Sequence, residues 1–424
     1  MNRNSLSLIL FFLLLILLGA PGAAGHEVIA VGADNWERPW VPDLRNGGEP
    51  TPISLDRRID VIILGDGYLP QERGLFEREV QAWYDRFLEY EPYRHFSGAF
   101  RVRGVWTPSR DRATPDRRSH YRLPSTSRAV GSATPQVRRA IFDAIEAIGY
   151  NPARSDGVLT HTTAVMLIRN ERGRNPSGVA RVIQSPDRRT RLRVAFGAYT
   201  HHEFGHSYGG LRDEYIRGPG SVSNRTQPEH VCIHSVSNIA YTDDSSRIPW
   251  RHMMPGGEIN PDPNSVIGLL WPGGVVEQGA WHAEPRCLMN GTHDNWNFSM
   301  TRRGVTLRDR DNYCFWCEEI LVARTLEKTG QLGSIDCGIE LWQAWERIRP
   351  LYHELFGVPE RIAARNAEHA QERLYAAPLV ERPRVMLAGA PGIEAELEPV
   401  EAADGDQPRP GLLRRLLRIG VGER

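Results

Sequence analysis

The chain has 424 residues, 40% hydrophobic and 25% charged, an ordinary globular composition with enough apolar material for a sizeable core. Its 52 basic and 52 acidic residues cancel. Overall charge therefore excludes steering toward nucleic acid or an anionic membrane, and no nucleic-acid partner is expected.

Met1 to Asn4 is a short positive start, Leu6 to Leu18 is almost unbroken apolar, and Ala20 to Gly25 supplies small residues for cleavage. Residues 1–25 read as a Sec-type signal peptide, so the expected location is secreted or periplasmic. No second long apolar run follows, and no stable membrane span is expected once the signal is cleaved. His26 to Leu55 is rich in Pro, Gly, Asn and Asp and reads as an extended strap with one short strand at Glu27–Val31. A catalytic domain is expected over residues 56–350, and a helical, then disordered, tail over 351–424.

Within that domain, Ile59 to Leu64 is short, apolar and β-branched, a buried strand ending in a turn at Gly65-Asp66-Gly67. Turn chemistry accounts for Asp66. Gln71 to Tyr90 repeats apolar residues at helical spacing, Phe100 to Trp106 alternates as a strand, and Asp111 to Ser132 reads as a mobile surface loop. A helix is expected over Pro135 to Gly149 and a strand over Thr163 to Ile168. Gly178 to Ile183 is expected to be an edge strand to which an extended peptide could pair.

Val194 to Tyr215 follows, and the rest of the chain is organised around it. It contains H-E-x-x-H as His202-Glu203-Phe204-Gly205-His206. On a helix, positions i and i+4 share a face one turn apart, so the two imidazoles can grip one zinc ion at about 2.0–2.1 Å each. Glu203 lies between them, where it can take a proton from a zinc-bound water and act as general base. His201 points about 100° away on such a helix and is not expected to be a ligand. A catalytic zinc needs a third protein ligand and one open position. Gly209-Gly210 can stop the helix in a left-handed turn and send the chain back toward the metal. The metzincin pattern H-E-x-x-H-x-x-G-x-x-H/D puts that ligand six residues after the second histidine, which here is Arg212, a residue that cannot bind a cation. Asp213 is favoured instead, with the extra glycine absorbing the shift, and Glu214 or a distant histidine as alternatives.

His202 to Tyr215, H-E-F-G-H-S-Y-G-G-L-R-D-E-Y, resembles the signature H-E-x-G-H-x-x-x-x-L-x-D-E-Y of the IgA-peptidase family, family sixty-four of the zinc metallopeptidases. The resemblance extends to Arg58–Tyr68, to Cys287-Leu-Met289 and to Cys314-Phe-Trp-Cys317, spanning roughly Asp56 to Leu326. It implies a secreted zinc endopeptidase with a metzincin-like catalytic domain, of α/β (α+β) class, and a mixed sheet beside the active-site helix. Many relatives carry a separate N-terminal β domain, for which this chain has no room. Met289 resembles the methionine turn that metzincins place beneath the zinc, with Met253, Met254 and Met300 as weaker competitors.

Beyond Tyr215 a long irregular tract rich in Pro, Gly, Asn and Trp runs to about Pro285 and is expected to wall the cleft. Its histidines, His234, His252 and His282, and His293 beyond it, are each read as hydrogen-bonded loop residues. Tyr215, Tyr241 and Tyr313 are candidate oxyanion stabilisers that spacing cannot separate. Asn224, Asn290 and Asn297 open glycosylation patterns. The five cysteines, Cys232, Cys287, Cys314, Cys317 and Cys337, are expected to form disulfides in an exported chain, with a redox or zinc-knuckle role for Cys314-x-x-Cys317 as the alternative. Helices are expected at Cys317 to Glu327, at Leu341 to Phe356 with an interruption at Pro350, and, as a solvated helix, at Arg361 to Tyr375. The basic patch from Pro410 to Ile419 is read as a solvated tail.

The reading is a zinc-dependent endopeptidase acting on protein or peptide, with one Zn2+ held by His202, His206 and Asp213 and with Glu203 as base. The rivals are a catalytically silent surface-binding protein on the same fold and a zinc amidase acting on cell-wall crosslinks.

Overall fold

A computed structural model describes residues 26–31, 40–54, 57–113, 119–123, 134–148, 158–169, 178–187, 190–197, 199–215, 238–241, 244–254, 265–268, 271–272, 280–284, 286–290, 312–332 and 338–376. The signal segment, Cys232, Cys337, Asn224, Asn297, His234, His293, Met300 and the tail from 377 lie outside the described residues.

The elements in chain order begin with β1 (Glu27–Ala30), β2 (Trp40–Asp43), β3 (Glu49–Pro52), β4 (Ile59–Asp66), α1 (Arg73–Glu89), α2 (Glu91–His95) and β5 (Phe100–Trp106). Then come α3 (Pro135–Ala147), β6 (Val158–Ile168), β7 (Val179–Gln184), β8 (Arg191–Phe196) and α4 (Thr200–Phe204), which continues as a wider turn over Gly205–Gly209. Short strands β9 (Ile239–Ala240), β10 (Trp271–Pro272) and β11 (Trp281–His282) precede helices α5 (Phe315–Lys328), α6 (Gly338–Leu355) and α7 (Val358–Ala376).

Strands β1, β5, β4, β6, β8 and β7 form one sheet in that order. The four central strands run parallel, while β1 and β7 pair antiparallel at the two edges. This is the mixed sheet with helices expected of an α+β fold. Side chains alternate across a strand, so β4 feeds two cores. Val61 and Ile63 join α1 through Phe76, Val80, Trp83 and Phe87 on one face. Ile62 and Leu64 join α3 through Val137, Ile141 and Ile145 on the other. Each such side chain contributes about 1.5–3 kcal/mol by leaving water. The first face also carries α4, through Phe204 and Tyr208.

Several expectations are corrected. The strap carries a β2–β3 hairpin as well as the β1 strand. The run after Asp111 is in part core: Tyr121 and Leu123 are fully buried, and the buried Asp66 carboxylate at the end of β4 accepts from Ser119 Oγ (2.8 Å), Tyr121 N (2.9 Å) and Leu123 N (3.0 Å). Asp66 is thus a clamp on a distant segment rather than a turn residue alone. Helix α6 runs through Pro350 without a break, held by fully buried Trp345 and Tyr352 on either side of it. Helix α7 is not merely solvated. Its Arg361 forks onto buried Glu318 (2.6 and 2.8 Å), and its Arg365 reaches fully buried Glu284. Among the described residues, no helix is long and apolar enough to cross a membrane.

Candidate metal centre

Strand β8 ends at Phe196, and Gly197 and Tyr199, both at positive φ, turn the chain into α4. A left-handed tyrosine is strained, and strain of this kind gathers where a site fixes the backbone. The helix that follows presents His202 and His206 on one side. After Phe204 it widens: the Gly210 N–H donates back to both Gly205 and His206 carbonyls, and Gly210 takes φ +71°. A π-type turn of this kind inserts one extra residue into the helix. That extra residue lets a side chain seven residues after the second histidine, and not six, face the imidazoles. The chain then reverses through Leu211 and brings Asp213 back.

Three ligand atoms converge. His202 Nε2 and His206 Nε2 stand 3.1 Å apart, and Asp213 Oδ1 lies 3.1 Å from the first and 2.9 Å from the second. Donors bound at about 2.0–2.2 Å to a tetrahedral ion are separated by roughly 3.3–3.5 Å, so the triangle fits one face of a zinc tetrahedron. Glu203 also offers an oxygen within 4.8 Å of both imidazoles, but Asp213 Oδ1 touches both, so Asp213 stands at the third corner of the triangle and Glu203 beside it. Burial opposes the charge on Asp213, yet the two imidazoles outweigh it and hold its carboxyl well below the usual range. For Glu203 burial prevails, with Asp213 adding to it, and its carboxyl is pushed up despite both histidines and the Ala180 amide on β7.

The ring orientation is set from behind. His202 Nδ1–H donates to Leu288 O (2.7 Å), and His206 Nδ1–H donates to Leu211 O (2.6 Å). Each carbonyl fixes the tautomer that leaves Nε2 free to ligate. The returning loop is held by Asn238, which accepts from Arg212 N (2.7 Å) and donates to Arg212 O and Glu214 Oε1 (2.8 Å each). Beneath the helix, a Cβ on Gly205 would fall 2.7 Å from Met289 Sδ and 3.1 Å from the Tyr313 ring. The glycine is what lets Met289 lie against this turn.

The remaining residues sort by position. His201 stacks on Trp83 at 4.6 Å and bonds to its carbonyl, away from the metal; burial lowers its pKa to about 4. Tyr313 lies under the helix, donating to His201 O, and Tyr241 is engaged by Arg212 on the surface. The Tyr215 ring lies 6.2 Å from that of His202. His252 pairs with buried Glu319, and His282 faces Glu214. Asn290 is fully buried, which removes it as a glycan acceptor in the folded chain. The disulfide expectation fails for the described cysteines: Cys287, Cys314 and Cys317 are buried free thiols. The Cys287 and Cys317 sulfurs stand 3.7 Å apart, against about 2.05 Å for a bridge.

Two imidazoles, a bridging carboxylate and a second carboxylate beside them, on a helix packed under a mixed sheet, constitute the class of site used by metal-dependent hydrolases. A model of the family described as IgA Peptidase M64 matches residues 46–145. The chain thus resembles that peptidase family over β4, α1, β5 and α3, a stretch that does not include the zinc motif, and the two resemblances support a peptidase independently. No curated protein matches the chain.

Proposed function

We propose that the chain is an exported, zinc-dependent endopeptidase of metzincin-like fold that hydrolyses peptide bonds in protein or peptide substrates. The observation that carries this reading is the triangle of His202, His206 and Asp213 with Glu203 beside it. Zinc held by these residues would supply Lewis acidity and would lower the pKa of a bound water toward about 7. Glu203 receives the proton of the attacking water and passes it to the leaving amine. Burial of Glu203 favours the first of these steps, since a raised pKa makes the carboxylate a stronger base toward the attacking water.

Substrate direction follows from β7. It is an edge strand, with Val182 59% exposed, and it borders the site, since the Ala180 amide reaches Glu203. An extended peptide pairing with β7 would pass beside the catalytic carboxylate by main-chain hydrogen bonds alone. The test is turnover of casein or a peptide library by the purified chain, before and after chelation and with Glu203→Gln. Loss of turnover in both, with metal retained in the variant, supports the reading. Turnover that survives the substitution overturns it. A metal-loaded chain that cuts only amide crosslinks of cell-wall material would move the assignment to the amidase rival.

A further inference from the structure

Behind the first metal centre lies a second cluster that the proposed chemistry does not use. We propose that Glu214, Cys287, Cys314 and Cys317 form a structural site for a soft divalent cation, zinc by its donor chemistry, distinct from the His202–His206–Asp213 centre.

The geometry is that of a coordination shell. All four residues are fully buried, and one donor atom from each lies within 4.8 Å of the others. Sulfurs bound at about 2.3 Å to tetrahedral zinc stand roughly 3.8 Å apart, and Cys287 Sγ to Cys317 Sγ is 3.7 Å. Glu214 Oε1 lies 3.1 Å from Cys317 Sγ and 3.9 Å from Cys314 Sγ, bracketing the roughly 3.5 Å expected between an oxygen and a sulfur on one zinc.

Backbone donors point at the sulfurs. Met289 N–H and Cys314 N–H both donate to Cys287 Sγ (3.4 and 3.3 Å), and Cys317 N–H donates to Cys314 Sγ (3.4 Å). Cys314 caps α5 and Cys317 sits in its first turn, at the positive end of a 14-residue helix. Glu214 Oε2 is buried without a hydrogen bond, with His282 Nδ1 at 3.5 Å. A carboxyl and three thiols packed together in this way leave polar groups uncompensated, and a cation compensates all four at once. Ligation would also hold three clustered thiols reduced in a chain read as exported.

Such an ion would brace the first centre. Glu214 follows Asp213 directly, and its N–H donates to Met289 O (2.8 Å). Cys287 precedes Leu288, whose carbonyl orients His202, and Met289, which lies under Gly205. One ion would tie the Asp213 loop, the methionine loop and α5 together.

The test is metal content of the full chain and its cobalt spectrum. Two zinc ions per chain are expected in the wild type and one in a His202→Ala/His206→Ala double variant, which leaves every sulfur untouched. Replacing zinc with Co2+ in that variant should give intense thiolate-to-cobalt charge transfer and tetrahedral d–d bands. Cys314→Ser/Cys317→Ser should lose that spectrum. The wild-type chain loaded with Co2+, whose fold no substitution has disturbed, must show the thiolate band as well. A chain without the band, or one whose alkylated peptides show a disulfide joining any two of Cys287, Cys314 and Cys317, overturns the proposal. Because the double variant lacks the catalytic ligands, the result stands apart from whether the chain is a peptidase.

Discussion

At the scale of single residues, the chemistry rests on what each side chain touches. Glu203 stands beside the triangle of His202, His206 and Asp213 and is not one of its corners, so Glu203→Gln should retain metal while turnover falls by about 100- to 10,000-fold, read by metal analysis beside a peptide assay. Asn238 holds Arg212 from both sides, and Asn238→Ala should weaken the catalytic metal by about 10- to 100-fold, read as the zinc needed to restore activity to the apo chain. The convergence of His202, His206 and Asp213 was legible in the sequence because i and i+4 share a helix face and because Arg212, at the expected spacing, cannot bind a cation. The groups that aim them were not. Leu288 and Leu211 act through carbonyls, which any residue supplies, and Asn238 reaches the loop from across a long irregular tract. For the described cysteines the disulfide expectation failed for a related reason: compartment and cysteine count say nothing of the buried carboxylate that Glu214 sets against Cys314 and Cys317.

Elements were readable where one physical pattern governs them. The alternation in β4 and the helical stripe of α1 follow directly from which face meets the sheet. Strand β6 begins earlier than its apolar run because Thr162 and Thr163 pair with β4 in spite of their hydroxyls. The β2–β3 hairpin escaped notice because prolines stand in both strands. Two outcomes belong at this scale. Proline placed along Val179–Ile183 should lower kcat/KM for long peptides at alternate positions, those whose N–H faces outward; indifference at every position would remove β7 as the substrate strand. The Asp66 clamp should show in stability against pH. Burial pushes its carboxyl from 3.8 up to about 6, so the folded chain holds this proton more tightly than the unfolded one. Stability from this group is therefore full at low pH and falls by about 3 kcal/mol as pH rises across that window. Asp66→Asn should abolish that slope in denaturant titrations, whatever it does to the overall level.

Across the whole molecule, the C-terminal helices are bound to the core by buried charge. Glu284 and Glu318 lie in the interior and meet Arg365 and Arg361 on α7. Removing one partner leaves a carboxylate buried without its cation, so Arg365→Ala should cost about 3–5 kcal/mol in equilibrium unfolding, whereas Glu89→Ala, on the surface of α1, should cost under about 1 kcal/mol. No sequence pattern announces such a pair, because its members lie far apart in the chain and each alone looks like a solvated charge.

The bulged end of the histidine helix carries a last implication. By lodging a surplus residue inside its final coil, the chain lengthened the path from His206 to Asp213 while the two side chains still meet at 2.9 Å. The count between them is consequently a property of how tightly the backbone winds. A sequence rule written for one winding would pass over proteins built on the other, and shortening the Gly209–Gly210 pair by one residue should carry Asp213 off the cation unless the coil tightens to match.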